Sequence, residues 1–132
     1  MNTNIINKCK AYTSLEQSKK LAEILPLESA DMTLVSLFEL DNVTPKHCAT
    51  LIPYTIFSGI GVPCWSLTAL LNYIKDKCGY FELVYLSSTY DGRANKLKNV
   101  YRLSIDLHDV YEEEVIDACV KMIVWLKENN KL

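Results

Sequence analysis

Apolar residues first recur at Leu15, Leu21, Ala22 and Leu25, spacings of three, four and seven that place them on one face of a helix. Two overlapping capping boxes, Thr13 with Glu16 and Ser14 with Gln17, stand just before and predict its start. Pro26 is expected to stop it, because proline lacks an amide hydrogen and disfavours helical geometry in the residue before it. After a mixed connector over 27–32, the β-branched and aromatic run 33–40 predicts a largely buried strand. Residues 41–45 read as a turn. Residues 48–57 are again apolar and β-branched, but Pro53 restricts them to an edge or irregular strand.

A loop over 58–63 then leads into a second helix from Cys64 onward, with Leu67, Leu70, Leu71 and Ile74 on one stripe and Gly79 suited to a left-handed cap. Residues 81–88 and 100–107 predict two strands paired as a hairpin, with Asp91-Gly92 in the connection. In the second of these, Tyr101, Leu103, Ile105 and Leu107 alternate with Arg102, Ser104, Asp106 and His108, which assigns the first row to the core. Asp109 is expected to cap a last helix with Glu112, Glu113 and Glu114 in its first turn. Val115, Ile116, Cys119, Val120, Met122, Ile123 and Leu126 give that helix a wide apolar face. The predicted fold class is α+β: three main helices packed on a small, mostly antiparallel sheet of three to four strands, in a single domain over 1–132.

Composition supports an ordered globular chain. Of 132 residues, 49% are apolar and 23% charged, enough for one core without a long polar tail. The net charge of −2 comes from 14 basic and 16 acidic residues without blocks; that pattern argues against duplex nucleic acid as a partner. No apolar stretch resembles a signal sequence or a membrane span, so a cytoplasmic location and no membrane partner are expected. The cysteines Cys9, Cys48, Cys64, Cys78 and Cys119 are scattered and read as reduced thiols. Neither a metal nor a cofactor is implied by their spacing.

The sharpest local feature is Pro63-Cys64-Trp65-Ser66. A thiol opening a helix has its thiolate stabilised by the helix dipole and becomes a better nucleophile. The segment resembles papain-type peptidases, in which a helix-opening cysteine precedes tryptophan and a histidine comes from a later strand; His108 would fill that place. Gly61-Val62-Pro63 departs from the family's lead-in and no asparagine is in place to orient His108. The competing reading is that Cys64 and Trp65 pack the helix start into the core. Gly59 and Gly61, just ahead, are suited to presenting backbone amides to an anion, or simply to turning the chain. Ser29 and Asp31 are polar neighbours of apolar segments and join the candidate ligand-binding set of Gly59, Gly61, Cys64, Trp65 and Ser66.

Three segments together, 12–18 continuing through 25–32, 63–67 and 116–122, resemble a group of short proteins of gut anaerobic bacteria and their prophages or mobile elements. The resemblance implies an accessory role and brings no activity whose residues could be carried over. The expectation is therefore a non-enzymatic binding or interaction domain whose partner is a host protein or a small anionic ligand. The alternative is a small cysteine hydrolase with Cys64 as nucleophile and His108 as base. A third reading is a homodimer through an apolar strip on the last helix that includes Trp125.

Overall fold

The computed structural model of the chain describes residues 11–36, 47–50, 62–91 and 96–132. Helix α1 (Leu15–Ala22) begins where the sequence says it should. Of the two overlapping boxes it is Ser14 and Gln17 that close: the Gln17 amide donates to Ser14 Oγ at 3.2 Å and the Ser14 amide to Gln17 Oε1 at 3.0 Å. The helix ends at Ala22, short of Pro26. Pro26 instead caps a single 3₁₀ turn, Leu27–Ser29, a place where its fixed φ is an advantage.

Strand β1 (Met32–Ser36) is the centre of an antiparallel sheet in the order β2-β1-β3, where β2 is His47–Thr50 and β3 is Val62–Cys64. The remainders of the expected strands, 37–40 and 51–57, lie outside the described residues. Residues 62–64, expected as loop and helix start, are a strand instead. Pro63 is tolerated there because β3 lies at the edge of the described sheet, opposite Thr33, and proline can occupy an edge strand without breaking a central ladder. Met32, Leu34 and Cys64 form a buried cluster on one face, with Tyr12, Leu15 and Val62 packed against it.

Helix α2 (Leu67–Cys78) ends as the sequence predicts: Gly79 takes φ 87° and its amide donates to the Lys75 carbonyl at 2.8 Å. Beyond it, β4 (Glu82–Asp91) and β5 (Lys96–Ile105) form the expected antiparallel hairpin, with an irregularity between Leu86 and Thr89. The sequence reading missed β6 (His108–Glu112), which pairs antiparallel with β5 to complete the order β4-β5-β6. Asp109 is therefore a strand residue and not a helix cap. Glu112 also belongs to β6, and α3 (Val115–Glu128) starts only after Glu114, whose backbone holds the cap position. The cause is a two-residue turn at Asp106-Leu107 that reverses the chain before the acidic run begins. It also carries Leu107 out of the predicted core row to full exposure, at 103%.

Helix α3 packs on β5 and β6 through the apolar face read from the sequence, with Ile116, Cys119, Met122, Ile123 and Leu126 buried beside Leu103, Ile105 and Val110 of the strands. It closes in a Schellman motif: Lys131 N donates to Leu126 O at 2.8 Å and Asn130 N to Lys127 O at 3.1 Å, with Asn130 at φ 56°.

The class is α+β, with three helices and antiparallel strands among the described residues, but these strands fall into two three-stranded sheets where a single sheet of three to four strands was expected. The chain divides into two compact units, Ala11–Leu70 holding the first sheet and Leu71–Leu132 the second, with the boundary inside α2. No helix among the described residues is long and apolar enough to cross a membrane.

Candidate functional site

The candidate residues of the first unit are drawn together around the start of α2. The segment ahead of α1 lies antiparallel to the segment ahead of α2, bridged at Tyr12 and Ser66. The Thr13 amide donates to the Trp65 carbonyl at 3.0 Å, and the Trp65 amide returns a bond to Thr13 Oγ1 at 3.1 Å. Thr13 Oγ1 also meets Ser18 Oγ at 2.7 Å, so both buried hydroxyls are satisfied in the interior. Thr13, expected as a cap, has turned inward to join the entries of the two helices.

Ser29 and Asp31 reach the same place from the other side. The Trp65 indole N–H donates to Ser29 Oγ at 2.9 Å, and Ser29 in turn donates to the Pro26 carbonyl at 2.6 Å. Asp31 takes two bonds from Ser66, one from its amide at 2.9 Å and one from its hydroxyl. Ser66 Oγ also accepts from the Ala69 amide at 3.2 Å and so caps α2. The anion that a helix start favours is already present here as the protein's own Asp31 carboxylate. Gly59 and Gly61, the other expected amide donors, lie outside the described residues.

Cys64 does not open the helix. It is the last residue of β3, two positions before the cap residue Ser66, and both it and Trp65 are fully buried. The dipole stabilisation expected of a helix-opening thiol is therefore lacking. Burial, with a smaller contribution from the Asp31 carboxylate, pushes the thiol from 9.0 up to about 12. A group held protonated in this way is a small apolar core residue, in keeping with its place among Met32, Leu34 and Val62.

His108 belongs to the second unit, at the first position of β6. Its imidazole lies flat on the Trp125 indole of α3, with ring centroids 3.8 Å apart and an interplanar angle of 4°. This stack ties the hairpin to α3 and covers part of the strip in which Trp125 was expected to be free. The sequence gives no signal for it, since the two residues are far apart in the chain. The acidic residues expected in the first turn of α3 serve ion pairs: Glu112 with Lys121 and Glu113 with Lys98. Arg102 pairs with Glu82 across the same sheet.

No family model, curated protein or solved structure matches the chain.

Proposed function

We propose that the chain is a non-enzymatic protein-binding domain, an accessory whose partner is a host protein. The observation that carries this reading is the state of the segment 64–66 that leads from β3 into α2. Its thiol is buried and held protonated, its indole N–H is engaged by Ser29, and its amide and hydroxyl are engaged by Asp31. The described candidate groups are thus engaged by the protein's own residues, which supports a structural role for them there. By contrast, Tyr80, Tyr85, Leu107 and Tyr111 are the exposed large apolar side chains among the described residues of the second unit, and tyrosine is a type enriched at protein interfaces. The mobile-element resemblance of the sequence fits an accessory of this kind, acting in the cytoplasm.

Thiol labelling of the native protein near pH 8 tests the reading. Cys64 is expected to stay unmodified by a soluble disulfide reagent until denaturant is added. Rapid labelling of Cys64 in the native state, slowed in a His108→Ala variant, would instead favour the hydrolase.

A further inference from the structure

The turn between β5 and β6 breaks two local rules at one residue. Ile105 pairs with His108, so the loop is only Asp106 and Leu107, and both have positive φ, 50° and 68°. This is the type I′ pattern, in which the second position is normally glycine because a Cβ in the left-handed region crowds the following carbonyl. Leucine is among the side chains least suited to that position. It gains nothing from burial in return, since Leu107 is fully exposed. An exposed leucine alone is ordinary. A leucine that is both exposed and held in a glycine conformation is a departure from local consistency of the kind that clusters at functional sites.

Contacts on either side hold the base of the tip. The next residue, His108, is stacked on Trp125 of α3, and Ser104 Oγ donates to Asp109 Oδ1 at 2.6 Å across the base of the hairpin. The start of β4 lies beside the end of β5, with Glu82 opposite Ser104, which brings exposed Tyr80 to the same end of the sheet. Both carboxylates that flank Leu107, Asp106 and Asp109, are exposed. An apolar knob between two carboxylates is repelled by anionic lipid headgroups and complements a protein pocket with a basic rim.

We propose that the β5–β6 hairpin tip is a preorganised docking knob, with Leu107 inserting into an apolar, Lys- or Arg-rimmed pocket of a partner protein. This rests on the protein-binding reading above and names the anchor and the chemistry of its receptor. Because the turn is already fixed, little ordering remains to be done on binding.

The test replaces Leu107 in the full-length chain by photoactivatable leucine, with the same replacement at Leu27, which is 42% exposed, as the control. Each is irradiated in a soluble cell lysate and the adducts are mapped to residues. In parallel, capture from the lysate by the wild-type chain is compared with capture by Leu107→Gly. That variant relieves the turn and is expected to show a raised Tm, so lost capture cannot be blamed on unfolding. The expected result is an adduct from position 107 alone, on an apolar segment of another protein flanked by Lys or Arg, with capture of that protein at least about tenfold weaker for Leu107→Gly. Equal adducts from positions 107 and 27, adducts only to a second copy of this chain, or adducts to lipid would overturn it. If wild type and Leu107→Gly capture the same protein equally, the knob fails while the protein-binding reading stands. Capture of nothing by either chain counts against both.

Discussion

At the scale of single residues, burial converts candidate chemistry into packing. Cys64 and Cys119 are both fully buried, and burial raises each thiol from 9.0 to about 12. The folded chain holds these two protons more tightly than the unfolded one. Their contribution to stability is therefore complete below about pH 9 and is lost as the pH rises from 9 to 12. Urea midpoints measured across that interval should fall with pH, and more steeply for the wild type than for a Cys64→Ala/Cys119→Ala double variant. A second residue carries an unmet demand: Thr33 is fully buried, and its Oγ1 has no hydrogen-bond partner among the described residues. Thr33→Val keeps the shape and removes the desolvated hydroxyl, so it should stabilise the chain by about 1–2 kcal/mol in chemical denaturation. A loss of stability would show that the hydroxyl is satisfied in solution.

At the scale of elements, the helices were legible in the sequence and the short strands were not. A helix declares itself over several turns of repeated spacing, and its ends are marked by local chemistry such as Ser14 with Gln17 and Gly79 after Cys78. Replacing Ser14 by Ala should cost about 1 kcal/mol, read from the denaturation midpoint. Asp109→Ala should leave the helical signal in circular dichroism unchanged, because Asp109 lies in β6 and caps nothing. The strands β3 and β6 have three and five residues, too few for alternation to stand out. One holds a proline, and the other follows a turn that contains a leucine where glycine is the usual sign. The acidic run after it reads locally as a helix start, but the residues of β6 are claimed by pairing with β5, so α3 begins only at Val115. Tertiary pairing overrode local preference there.

At the scale of the whole molecule, the described residues form two small antiparallel sheets of three strands, one in each compact unit. In each, one strand has neighbours on both sides: β1 between β2 and β3, and β5 between β4 and β6. Amide hydrogen exchange should therefore be slowest in the central strands and in the buried face of α3, and faster in β3 and β6, when followed by NMR or mass spectrometry under native conditions. Uniform protection across the six described strands would contradict this arrangement.

The sequence by itself determined the mixed α and β class, the presence of the three described helices, the Ser14–Gln17 box of α1, the Gly79 end of α2 and the buried face of α3, because helix periodicity and capping are properties of residues close in the chain. It also singled out Ser29, Asp31, Cys64, Trp65 and Ser66, and the fold does bring these together. What they do was decided by the tertiary structure alone. Desolvation of Cys64, the bond from the Trp65 indole to Ser29 and the filling of the helix start by Asp31 all depend on neighbours about 30 to 50 positions away in the chain. The same is true of the division of the strands into two sheets and of the exposure of Leu107, since strand pairing is a choice of long-range partner and hydrophobic pattern alone does not name that partner.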